Sequence, residues 1–270
     1  MKVSFSTLGC PEWSWADITA MAKDLGFDGI EIRGVENELH ASKIKEFLPE
    51  NIARTKKKLK EMGLSIPCLT SSSCLFDESN IEANIKEAQE YIETAAAIGT
   101  KYVRVLGDGQ AEPKGDISLD FLADSLLKLA VYAKEKDVIV LVETNGALSS
   151  SDKMAELMKK TNNDNIAVLW DIHHPYRFMD EPVEETYLKL KEFIKHVHIK
   201  DSVMKDGMVK YKMTGYGDVP VEQAVKLLAQ DNFEGYISYE WVKRWCSELE
   251  DPGVAFSHFI NYIKDINKTI

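Results

Sequence analysis

Residues 138–143 read Val-Ile-Val-Leu-Val-Glu, and residues 167–171 read Ala-Val-Leu-Trp-Asp. Each is a short apolar run that stops at a carboxylate. Runs of four to six such residues, with no polar alternation, mark strands buried on both faces of a parallel sheet. Thr144-Asn145-Gly146 follows the first run and Ile172-His173-His174 the second. Polar side chains therefore collect just past the carboxyl end of each strand. Between the two runs, residues 152–161 carry a helical pattern.

The same alternation continues in both directions. Strands are expected at Val3–Thr7, Gly29–Arg33, Ser65–Thr70, Tyr102–Leu106, Val138–Glu143, Ala167–Asp171, His196–Lys200 and Tyr236–Glu240. Apolar stripes at helical spacing lie between them: Ile18, Met21, Ala22 and Leu25; Ile81, Ile85, Ala88, Ile92 and Ala95; Leu122, Leu126, Leu129 and Ala133; and Phe256, Phe259, Ile260, Ile263 and Ile266. Further helices are expected over 50–62, 183–193 and 220–230. A stripe of this period turns one helix face onto a sheet. Gly26, Gly63, Gly99 and Asn232 stand where helices should stop, since these residues accept the left-handed backbone of a C-terminal cap.

No low-complexity tract or linker interrupts the series, so residues 1–270 read as one domain. Strands alternating with helices in this number form an α/β fold, a single (β/α)8 barrel. An open doubly wound sheet would need a glycine-rich phosphate turn after the first strand, yet Leu8-Gly9-Cys10-Pro11 stands there.

Composition narrows the partners. With 44 acidic against 33 basic residues, the net charge is −11, which disfavours nucleic acid and anionic membranes. No apolar run is long enough to span a bilayer. The first residues read as a strand, not a secretion signal. Four scattered cysteines (Cys10, Cys68, Cys74, Cys246) point to free thiols in a reducing cytoplasm rather than to a disulfide framework.

Chemistry in such barrels sits at the carboxyl ends of the strands. The last four strands bring Glu143, Asp171, His198 and Glu240 to that end. Three carboxylates and an imidazole at one mouth repel one another unless a cation lies among them. Three oxygen donors and one nitrogen donor suit one divalent metal ion: Mn²⁺ foremost, with Mg²⁺, Co²⁺ and Zn²⁺ as alternatives. Taken singly, each residue has a plainer reading as a helix cap, a core histidine or half of a surface ion pair. Their coincidence on four strands is the signal. Lys200 should point inward beside His198 and bind a substrate oxyanion, and Arg33, ending the second strand, can hold an anionic group. Trp13 and Trp241 offer aromatic faces to a sugar. The loop from Glu240 to Cys246 is aromatic and basic in an acidic protein.

These residues resemble the xylose isomerase-like TIM-barrel superfamily, which includes sugar (phosphate) isomerases and epimerases and the AP-endonuclease family 2 proteins. The resemblance rests on Val142-Glu143, Trp170-Asp171-Ile172-His173-His174, His196-Val197-His198-Ile199-Lys200-Asp201, Ser238-Tyr239-Glu240, the Gly-Phe-Asp-Gly-Ile-Glu stretch ending at Glu31, and Gly215-Tyr216-Gly217-Asp218. It covers essentially the whole chain. It implies metal ligands at Glu143, Asp171, His198 and Glu240, and a substrate contact at His174. The extra metal histidines of the AP endonucleases are missing, since the third and fourth strands end in Thr70-Ser71-Ser72 and Leu106-Gly107-Asp108. The second carboxylate and the arginine of the ketose epimerases are missing too.

The implied reaction is proton transfer next to a carbonyl through an enediolate. Glu143 and Glu240 act as acid and base in an isomerase or epimerase of a sugar or sugar phosphate. The alternative is a lyase, dehydratase or hydrolase with the same site, and a further one is a non-catalytic sugar-binding barrel. The expected partner is a small-molecule sugar or sugar derivative, with a homo-oligomer possible.

Overall fold

The computed structural model describes residues 1–269. Its principal sheet contains β1 (Lys2–Ser6), β2 (Gly29–Glu31), β3 (Cys68–Cys74), β4 (Tyr102–Leu106), β5 (Ile139–Glu143), β6 (Ile166–Asp171) and β7 (Ile194–Ile199). Residues Asp201–Lys205 (β8) and Met208–Lys212 (β9) form a separate antiparallel hairpin, and β10 (Tyr236–Tyr239) is the eighth strand of the principal sheet. The eight run in the order β2-β1-β10-β7-β6-β5-β4-β3, and every pair is parallel. Bridges from Gly29 to Ser65 and from Ile32 to Leu69 bring the two edges together. The sheet is therefore a (β/α)8 barrel and not an open doubly wound sheet.

Helices α1 (Trp15–Leu25), α2 (Pro49–Met62), α3 (Ile81–Ile98), α4 (Leu119–Glu135), α5 (Ser151–Thr161), α6 (His173–Met179), α7 (Val183–Leu190), α8 (Val221–Gln230) and α9 (Pro252–Asn267) connect the strands. Gly26, Gly63 and Gly99 end α1, α2 and α3 at φ of 80°, 71° and 89°. This is the left-handed stop expected from their positions. Ser14 and Asp17 form a reciprocal capping box that starts α1 directly after the first strand's loop.

Strand periodicity separates two environments. Leu141 and Glu143 share one face of β5, and Leu169 and Asp171 share one face of β6. With Cys68 and Ala167, Leu141 and Leu169 form a buried apolar layer of their own, so the carboxylates lie one step above an apolar floor. The intervening Val140, Val142, Val168 and Trp170 belong to the larger core with the helices. Aromatic stacking closes the seam between β1, β10 and α9: Phe5 on Phe256 at 4.2 Å and Tyr239 on Phe259 at 4.4 Å between ring centroids. Burying each such ring contributes about 1.5–3 kcal/mol.

Several expectations need correction: the second strand ends at Glu31, short of Arg33, and the seventh runs from Ile194 to Ile199. The third strand begins at Cys68, three residues later than its pattern predicts, because Pro67 has no N–H to donate to a ladder. The predicted helix over 183–193 stops at Leu190, and residues 191–193 turn into β7. The hairpin β8–β9 and the short helix α6 were not anticipated. Asp206-Gly207 at the hairpin's turn has both φ angles positive, 53° and 72°, the geometry of a tight hairpin turn. Among the described residues no helix is long and apolar enough to cross a membrane.

Candidate metal centre

Glu143 ends β5, Asp171 ends β6, His198 is the penultimate residue of β7, and Glu240 follows β10. One donor atom from each lies within 4.8 Å of the other three, and all four residues are buried. His198 Nδ1 stands 3.3 Å from Glu240 Oε1, 3.8 Å from Glu143 Oε1 and 4.0 Å from Asp171 Oδ2. His198 Nδ1 has no hydrogen-bond partner, and Asp171 Oδ2 meets only the Lys200 ammonium. Buried polar atoms without partners are rare and call for an explanation. Three carboxylates and an imidazole whose donor atoms converge within 4.8 Å fit a divalent cation.

Local structure holds each side chain in place. Asp171 Oδ1 accepts the His173 amide at 2.8 Å, and Thr144 Oγ1 accepts the Asp171 amide at 2.9 Å. Lys200 Nζ lies 2.6 Å from both Asp171 Oδ2 and Glu240 Oε2. Burial alone would lower the lysine's pKa, but Asp171 and Glu240 outweigh it and hold the ammonium well above its usual range. Glu143 is paired with Arg104 Nε at 3.1 Å, both side chains being buried. Burial opposes ionisation of Glu143, yet Arg104 and then His198 keep its carboxyl well below the ordinary carboxylate range.

His174 donates through Nδ1 to the Thr144 carbonyl at 2.9 Å, which leaves Nε2 free and 3.7 Å from Asp171 Oδ2. Burial lowers its pKa. His173 instead meets Ser202 Oγ at 2.8 Å and packs against Tyr211 from the hairpin.

Two residues went unread in the sequence. Glu31, fully buried at the end of β2, accepts from His198 Nε2 at 3.0 Å on each oxygen and from His196 Nε2 at 2.6 Å. The signal is present in the sequence: Glu31 is another carboxylate ending a short buried strand. Arg104 is the lone charge within Tyr102-Val103-Arg104-Val105-Leu106, and a charge inside a buried strand demands a partner.

The tryptophans correct an expectation. Trp241 is 1% exposed. Its indole N–H donates to the Glu250 carbonyl at 3.1 Å, and its ring stacks on Tyr239. It is core, with no face left for a sugar. Trp13 packs edge-on against Phe256 and lines a cavity of about 310 Å³ with Cys10, Lys243 and Asp251, none of them a member of the four-residue cluster. Arg33 donates to Ser72 Oγ at 2.9 Å, with Trp245 stacked over its guanidinium.

Residues 19–265 match the family model described as xylose isomerase-like TIM barrel, and the chain belongs to that family. Inosose dehydratase of Clostridium botulinum (strain Alaska E43 / Type E3) is 24% identical, with 94% of this chain and 92% of that protein covered. The 3-dehydro-D-guloside 4-epimerase of Escherichia coli (strain K12) is 22% identical over 90% and 91% of the two chains. Among solved structures, the probable 3-DHS dehydratase AsbF from Bacillus anthracis superposes with a TM-score of 0.83 at 17% identity, covering 98% of this chain and 99% of that one. At that identity the likeness speaks for the fold.

Proposed function

We propose that the protein is a divalent-metal-dependent enzyme that removes a proton next to a carbonyl in a polyhydroxylated keto compound, with loss of water as the outcome. Glu143, Asp171, His198 and Glu240 would hold the metal. The observation that carries this reading is their convergence within 4.8 Å, with His198 Nδ1 buried and without a hydrogen-bond partner. When bound, a divalent ion supplies positive charge that stabilises oxyanions of the substrate.

The chain's own groups supply the proton transfers. Glu143, kept ionised by Arg104, takes the proton from the carbon beside the carbonyl. The released C–H electron pair forms the carbon–carbon double bond, and the β-hydroxyl departs with its bonding pair. Lys200, an ammonium beside Glu240, hands a proton to that hydroxyl, which leaves as water. His174, with Nδ1 committed to the Thr144 carbonyl, turns Nε2 toward the cluster and orients substrate hydroxyls. One of the sequence relatives named above is an inosose dehydratase, which supports this outcome.

A second reading is epimerisation. It is favoured by two carboxylates, Glu143 and Glu240, both within 3.8 Å of one nitrogen, His198 Nδ1. One removes the proton and the other returns it to the opposite face, as the resemblance to a 4-epimerase suggests. Incubating the Mn²⁺-loaded protein with keto-inositols and keto-sugars in D₂O separates the two. Loss of 18 mass units marks dehydration, and deuterium gain without loss marks epimerisation. No solvent deuterium in any substrate, with wild-type and Glu143→Gln protein indistinguishable, overturns both.

A further inference from the structure

Three guanidinium groups gather on one side of the barrel mouth in a protein of net charge −11, and only one has an acidic partner. Arg104 is paired with Glu143. Arg33 and Arg244 have no carboxylate within 4.0 Å among the described residues. Arg33 spends Nη2 on Ser72 Oγ and leaves Nη1 buried without a partner. Arg244 gives Nη2 to the Pro11 and Glu36 carbonyls, at 3.4 and 2.9 Å, and leaves Nε buried and unpartnered. Glu87, whose charge reaches Arg33, is engaged by the Ser72 amide at 2.6 Å. Two half-buried guanidinium groups, each with one nitrogen buried and unpartnered and no carboxylate beside it, offer donors and charge suited to an anion.

The position ties these arginines to the metal cluster. Arg33 follows Glu31 by two residues, and Glu31 holds His198. Ser72 follows Ser71, whose carbonyl accepts from Arg104 Nη1 at 2.8 Å. Trp245, 59% exposed in the loop after β10, lies over Arg33 at 5.9 Å from ring centroid to guanidinium carbon. That loop is anchored by the Arg244 amide on the Leu8 carbonyl at 3.2 Å.

We propose that Arg33 and Arg244, roofed by Trp245 and walled by Ser72, form a subsite for an anionic substituent of the substrate, a carboxylate or a phosphate. Guanidinium forks match the geometry of both groups, and paired hydrogen bonds to such an anion are stronger than neutral ones. This names the substrate class and rests on the reading of the barrel mouth as the substrate site.

The test separates the subsite from the reaction. Inorganic phosphate, malonate and neutral fructose are titrated into the Mn²⁺-loaded protein by calorimetry, with tryptophan fluorescence following the Trp245 stack. At least one of the two anions binds and shifts the fluorescence. Arg33→Met and Arg244→Met each weaken that binding about ten- to a hundredfold, and Arg33→Lys weakens it less. Trp245→Ala, in an exposed loop, removes the fluorescence change, so the subsite can be tested even where an arginine variant folds poorly. Equal anion affinity in wild type and both Met variants overturns the subsite. So does turnover confined to neutral sugars with KM unchanged in Arg33→Met, an outcome that leaves the reaction standing. Arginine-dependent anion binding without turnover of any keto compound upholds the subsite and removes the reaction. Comparing keto-sugar phosphates with polyhydroxy keto acids as substrates then tells phosphate from carboxylate.

Discussion

Glu31 and His198 lie on β2 and β7, 167 positions apart in the chain, and meet with both carboxylate oxygens 3.0 Å from the imidazole Nε2. A carboxylate accepts only, so Nε2 must carry its proton and Nδ1 must face the Glu143–Asp171–Glu240 cluster. A second acceptance, from His196 at 2.6 Å, locks Glu31 in turn. The pair thus sets which nitrogen would be offered to a metal, as carboxylates behind metal-bound histidines commonly do.

Glu31→Gln therefore weakens Mn²⁺ binding about 10- to 100-fold, because an amide accepts on one oxygen only and directs its NH₂ at a donor. Calorimetric titration of the variant checks this. An unchanged affinity shows that His198 keeps its orientation without help.

Metal should stabilise the fold. At a free Mn²⁺ concentration about 100 times its Kd, the unfolding free energy rises by about 2.7 kcal/mol, seen as a higher melting temperature. In Asp171→Asn the rise disappears, while the metal-free protein still melts cooperatively. Differential scanning calorimetry with and without metal gives the comparison.

Arg104→Met leaves Glu143 buried without its counter-charge and lowers stability by about 3–5 kcal/mol. Adding Glu143→Gln restores most of that loss, since the uncompensated charge is gone. Urea denaturation of the metal-free proteins measures both. A double variant no better than the single one shows that the arginine acts through packing instead.

Trp241→Phe separates core from binding site. Losing the indole donor to Glu250 and part of the stack on Tyr239 costs about 1–3 kcal/mol, while KM for any confirmed substrate stays as in wild type. A raised KM without loss of stability would return Trp241 to the ligand.

The barrel and half of the site were legible for a local reason. A buried strand declares itself by its own apolar run, and its last residue lies at the catalytic end whatever the rest of the chain does. Glu143, Asp171, His198 and Glu240 could therefore be read one strand at a time. Trp241 could not, because a ring one residue past a strand end points to the mouth or into the shell depending on the neighbouring loop. Here Glu250 and Tyr239 draw it inward. The hairpin β8–β9 was missed since its alternating Met-Val-Lys-Tyr-Lys reads equally well as a polar loop.

Local pattern was enough to specify eight βα units, their helix stops and the donors that converge at one rim, because each depends on neighbours within a few residues. The tautomer of His198, the ionisation of Glu143 and the unmatched charges of Arg33 and Arg244 arise from partners on other strands and loops. They come into existence only when the ring closes and water leaves, since an interaction between groups so far apart in the chain has no signature in either segment alone.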